Sequence, residues 1–117
     1  MNQQENIAVS LVEILAKQNA TPEEKKIQAL IKVALYGGNI ITFIDEVSKA
    51  FNGCGKVKVD TVKGVTEYFK ANSEVQIRNK KISDDEKERL IKEASNRIIE
   101  GEVLVLGTLA HLGYLAE

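Results

Sequence analysis

The 117-residue chain reads as an all-α protein, a small bundle of four or five helices. Three observations lead there. Thr21-Pro22-Glu23-Glu24 and Ser83-Asp84-Asp85-Glu86 are capping boxes. In such a box the N-cap hydroxyl takes the N–H three residues on, and the Glu there reaches back to the N-cap N–H. Apolar residues recur at three- and four-residue spacing through several stretches. Glycine and asparagine fall between these stretches and punctuate them.

The first predicted helix runs from Glu5 to about Gln18, with Ile7, Leu11, Ile14 and Leu15 at helical spacing. Asn19-Ala20 ends it. The second starts at Pro22, whose missing N–H costs nothing at a first helical position. It carries Ile27, Leu30, Ile31, Ala34 and Leu35 inward and stops at Gly37-Gly38. Asn39 caps the third, which runs to Phe51 on a stripe of Ile40, Phe43, Ile44, Val47, Ala50 and Phe51. Asn52-Gly53-Cys54-Gly55 reads as a loop.

A fourth, weaker helix covers about Thr61 to Ala71, with Val62, Val65 and Phe69 inward. Gly64 and its β-branched neighbours lower its propensity. Asn72-Ser73 is expected to end it. Glu74 to Ile82 alternates at Val75 and Ile77, so it reads as a short strand or an ordered loop. Segments 56–59 and 75–78 are the two pieces from which one short two-stranded β-ribbon would form.

The fifth helix starts at Asp84 and places Ile91, Ala94, Ile98, Val105, Leu109 and Leu112 on one face. Unbroken to Leu112 it would be about 43 Å long. A compact domain of this size is roughly 35 Å across. The expectation is a break near Gly101 or Gly107, with Gly101 to Leu106 open to a strand reading, or an overhang that meets another chain.

The sequence predicts a single domain, 1–117, with segment 101–117 as an oligomerisation element. From Val103 onward the tail is apolar on nearly every face, and a helix of that kind must be covered. If the tail is helical, Leu104, Leu106, Leu109, Leu112 and Leu115 spread over more than one face. They form the expected oligomer interface, because a second copy supplies the missing cover.

The net charge of -1 gives no global pull toward nucleic acid or an anionic membrane. Charge is unevenly placed, however: residues 54–81 hold seven bases against three acids, and 82–117 four against eight. Lys63, Lys70, Arg78, Lys80 and Lys81 make the candidate anion or nucleic-acid surface, with Tyr68 and Phe69 interleaved as in single-strand binders. The competing explanation is the solvated face of ordinary helices.

Motifs for chemistry are sparse. One cysteine excludes an internal disulfide and a cysteine zinc cage. His111, the single histidine, sits in an apolar tail. Gly53-Cys54-Gly55-Lys56 resembles the end of a phosphate loop, but Ala50 and Val57 stand where Gly and Ser or Thr are needed. A Cys54–His111 nucleophile pair is disfavoured. The second and third helices have helix-turn-helix spacing, yet Thr42, Asp45 and Glu46 face outward on the recognition position and would repel phosphate.

The reading expects no catalytic, cofactor or metal residues and no enzyme activity. It expects a cytoplasmic protein with no membrane contact, since no signal peptide and no apolar run of about 18 residues is present. The leading function is a small non-enzymatic protein–protein interaction protein of accessory, inhibitor or adaptor type. It would self-associate through its C-terminal segment and bind an unidentified protein partner. The composition leans toward Ile, Lys and Asn, which suits a prokaryotic or phage accessory protein. The alternative is a regulatory protein that binds nucleic acid or nucleotide phosphate through 54–81.

Overall fold

The computed structural model describes residues 18–36 and 39–116. The predicted first helix and the Gly37-Gly38 stop lie outside them. The described residues form four helices and one minimal sheet: α1 (Pro22–Tyr36), α2 (Ile40–Phe51), β1 (Val57–Lys58), α3 (Val59–Arg78), α4 (Asp84–Leu112) and β2 (Leu115–Ala116). The architecture is an all-α bundle with a short strand pair, as the sequence predicts.

Three of the expected starts are visible as hydrogen bonds. At α1 the box is complete: Glu24 N–H donates to Thr21 Oγ1 at 3.1 Å, and Thr21 N–H donates to Glu24 Oε1 at 3.0 Å. Asn39 Oδ1 accepts from Thr42 N–H at 2.8 Å. At α4 the box shows one arm, with Glu86 N–H donating to Ser83 Oγ at 3.2 Å, while the Glu86 carboxylate turns to the Arg89 guanidinium.

Two expectations change at α3. The helix does not end at Asn72-Ser73 but continues to Arg78, and 75–78 is its last turn and not a strand. The buried positions Val62, Thr66, Phe69, Ser73 and Ile77 follow one helical face. Val75 points to solvent and Ile77 is fully buried. Two residues along a helix turn the side chain by about 200°, so Val75 and Ile77 stand on opposite sides of α3. The strand partner of β1 is instead β2. The two run parallel, Val57 opposite Leu115, with Val57 N–H donating to Tyr114 O at 2.7 Å.

α4 is unbroken for 29 residues, through Gly101 and Gly107. The molecule measures 48 × 32 × 20 Å, so a helix of about 43 Å fits within its longest dimension. Gly101 is buried where α1 crosses α4: a Cβ there would stand 3.5 Å from Leu35 Cδ2 and 3.7 Å from Ala34 Cβ. The break expected at a glycine comes later, at Gly113, whose φ of 81° gives the left-handed cap. Gly113 N–H returns to Ala110 O and Tyr114 N–H to Leu109 O, the two bonds of a Schellman end.

α4 is the central helix and pairs most extensively with α3, then with α1. Its buried face (Leu90, Ala94, Ile98, Val105, Leu109) meets Ile27, Ile31 and Leu35 of α1 and Val62, Phe69 and Ile77 of α3 in one core. The interlocks between these helices are directional as well as apolar. Arg97, on α4, donates to Ala34 O at 3.0 Å and Leu35 O at 3.2 Å, closing the free carbonyls at the end of α1. Lys87 does the same for α3, with Nζ 2.8 Å from Arg78 O.

Candidate functional site

Covering α4 on several sides changes the account of its tail. Leu109 is fully buried and belongs to the core, so it is removed from the interface set. Leu104, Leu106, Leu112 and Leu115 are half-buried against the same core. The physical reason is that α1, α3 and the β1–β2 pair close around the last turns of α4. Leu115 reaches its place only because Gly113 reverses the chain toward β1.

The uncovered apolar surface lies one helical face away. Ile99 (39% exposed), Val103 (62%) and Gly107 follow one another at four-residue spacing along the outside of α4, and exposed His111 continues the line. Beside them stands α2. Ile44 lines a groove of about 270 Å³ together with Val103, Leu104, Gly107, Thr108 and His111. A Cβ placed on Gly107 would meet nothing within 4 Å, so the floor of the groove is open. Ile40 (53% exposed) and Ile41 (77%) extend the apolar surface along α2. Ile40 was expected on the inner stripe. The inner stripe is instead Phe43, Val47 and Phe51, and Ile40 falls on the flank. Sequence reasoning named neither Val103 nor Ile41 as exposed. The signal for Ile41 was its place off the stripe of Phe43, Val47 and Phe51.

The five expected phosphate ligands do not form one patch. Lys70 Nζ is 3.2 Å from Glu67 Oε1. Arg78 forks to Glu74 at 3.1 Å and Glu88 at 3.0 Å, and these carboxylates, Glu88 first, raise its pKa above the ordinary arginine value. Lys63 is exposed near the start of α3, while Lys80 and Lys81 follow its end, roughly 25 Å away along the helix axis. Asp60, Glu67 and Glu74 interleave with the bases along the same helix. Lys56 and Lys58 border a shallow depression of about 760 Å³ at the start of α1 and α3, but Glu23, Glu24 and Asp60 share it.

The glycine-flanked loop is a turn into β1. Gly53 and Gly55 both have positive φ, and Cys54 N–H donates to Phe51 O at 3.0 Å. Cys54 is exposed. The Lys26 ammonium lies 3.0 Å from its sulfur and 5.5 Å above the Phe51 ring. Cys54 and His111 line different depressions and are not brought together. Among the described residues no three His, Cys, Asp or Glu side chains are grouped to hold a metal ion. No helix of the described residues is long and apolar enough to cross a membrane.

No protein-family model, curated protein or solved structure matches this chain.

Proposed function

We propose that the chain is a small non-enzymatic interaction protein of accessory or adaptor type that self-associates through the outer face of α4 and the flank of α2. One observation carries the reading: among the described residues, Ile40 and Ile41 of α2 and Ile99 and Val103 of α4 stay exposed on the two helices whose Ile44 and Val103 line the Gly107 groove. Exposed apolar surface that is contiguous marks an association site more often than isolated exposed residues do. A second copy presents the same face, so one sequence supplies both halves of a two-fold contact. Stable dimers bury about 800 Å² per partner, roughly a ninth of the 7154 Å² surface of this chain.

The test compares two aspartate substitutions by solution mass and circular dichroism. Val103→Asp changes an exposed side chain, so the fold is expected to stay within about 0.5 kcal/mol of wild type while the assembly dissociates. Leu109→Asp places a charge in a fully closed core and is expected to unfold the chain, at a cost above about 4 kcal/mol. A Val103→Asp variant with the same mass as an oligomeric wild type would move the interface elsewhere.

The nucleic-acid reading has weaker support. Lys70 and Arg78, two of its five bases, are taken up by neighbouring carboxylates, and of the other three Lys63 lies near the start of α3 and Lys80 and Lys81 past its end.

A further inference from the structure

Three of the helices are pinned to one another by directional contacts, and one is not. Arg97 of α4 holds the end of α1. Glu88 and Lys87 of α4 hold the end of α3 through Arg78. Among the described residues, α2 is tied to the other helices by apolar contacts and by the Lys26 ammonium, which lies above the Phe51 ring and 3.0 Å from Cys54 Sγ in the turn that follows. Of its 12 residues only Phe43, Val47 and Phe51 are buried. Its ion pair, Lys49 with Asp45 at 2.9 Å, is internal to the helix.

The side of α2 that faces α4 is also loosely filled. Ile44 looks across the 270 Å³ groove toward Gly107, where no atom stands within 4 Å of a Cβ position. At its C-terminal end the helix leaves through Asn52-Gly53-Cys54-Gly55. Both glycines there have φ near +77° and open space around them, so the turn can change direction without steric cost.

We infer that α2 is a flap: it undocks as a unit from the α1–α3–α4 body, about the Asn52–Gly55 turn, while that body stays folded. The free energy of such an opening follows the buried contacts and the polar ties that must be broken, and among the described residues α2 has the fewest buried side chains of the four helices. Opening exposes Phe43 and Val47 and widens the groove along Leu104 and Thr108. The flap thus sets how much apolar surface the α4 face presents. The inference does not depend on self-association, because a strictly monomeric chain would open in the same way.

The test is native-state amide hydrogen exchange on the full chain, read residue by residue against denaturant. The helical amides of α2, Phe43 to Phe51, are expected to exchange roughly 100-fold or more faster than those of Ile98 to Leu109 in α4. They should share one denaturant dependence, shallower than that of global unfolding. Equal protection in α2 and α4 would overturn the inference. So would a gradient decaying from the ends of α2, which signals fraying and not undocking. A lock adds a second reading: Ile44→Cys with Gly107→Cys in a Cys54→Ala background, two positions lining one groove. Oxidation is expected to slow α2 exchange to the level of α4, and fast α2 exchange in the oxidised form would refute the flap. If that variant does not fold or oxidise, the wild-type comparison decides alone.

Discussion

Replacing Arg97 by Ala removes the contact that joins the end of α1 to the middle of α4. Among the described residues the guanidinium donates charge-assisted hydrogen bonds to Ala34 O and Leu35 O, and its side chain is only 12% exposed. A hydrogen bond to a charged group contributes about 1.5–3 kcal/mol net when buried. Here the carbonyls lie at a helix end that water reaches once the side chain is gone, so the two bonds together are worth about 2–3 kcal/mol. The neighbouring Glu100 lies 3.6 Å away with its side chain 68% exposed, and an exposed pair of that kind adds little. The prediction is a loss of about 2–3 kcal/mol for Arg97→Ala. Arg97→Lys should lose about half as much, since an ammonium keeps the charge without the fork. Glu100→Ala should stay within about 0.5 kcal/mol of wild type. Urea denaturation followed by circular dichroism measures all three. At roughly 4 °C per kcal/mol for a chain of this size, the melting temperature of Arg97→Ala falls by about 8–12 °C. An Arg97→Ala variant within 0.5 kcal/mol of wild type would refute the reasoning. The α1–α4 junction would then be held by Leu35, Ile98 and their neighbours alone.

Gly107→Ala should stabilise the fold by about 0.5–1 kcal/mol, because it adds a good helix former where the new methyl meets no atom within 4 Å. Denaturation at high dilution checks this, and a loss of stability would mean that the groove is filled in solution. Replacing Lys63, Lys80 and Lys81 by Gln should change oligonucleotide binding little, because these bases form no joint patch. Binding at low salt that is strong, falls steeply with added salt and is abolished by these changes would restore the nucleic-acid reading.

The readable parts of the fold were those governed by local chemistry. Thr21-Pro22 and Asn39 set helix starts through hydrogen bonds spanning three residues, and the structure contains those bonds. α3 was cut short because two of its six buried residues are Thr66 and Ser73. Hydroxyl side chains do not register as apolar, so the stripe from Val62 to Ile77 was interrupted on paper though continuous in space. Gly101 looked like a helix breaker because its use is tertiary: it makes room for Leu35. The pairing of Val57 with Leu115 is two residues long and joins the middle of the described chain to its C-terminal end, so no periodicity could announce it.

The candidate site was half legible. The tail was read as the segment with most to bury, and Val105, Thr108 and Leu109 are buried there. Which of its residues stay uncovered depends on where α1, α2 and β1 sit, and that sorted Leu109 inward and Val103 outward. The charge count over 54–81 was accurate as arithmetic. It misled as geometry, because Glu67, Glu74 and Glu88 come within 3.2 Å of the bases they neutralise.

Sedimentation equilibrium of the wild-type chain across nanomolar to high-micromolar concentration tests self-association most directly. The account predicts a mass that rises with concentration from one chain to two or more, with the dimer populated in the micromolar range, and a Val103→Asp variant that stays at one chain throughout while its circular dichroism is unchanged. A wild type that keeps the mass of a single folded chain over the whole range would contradict it.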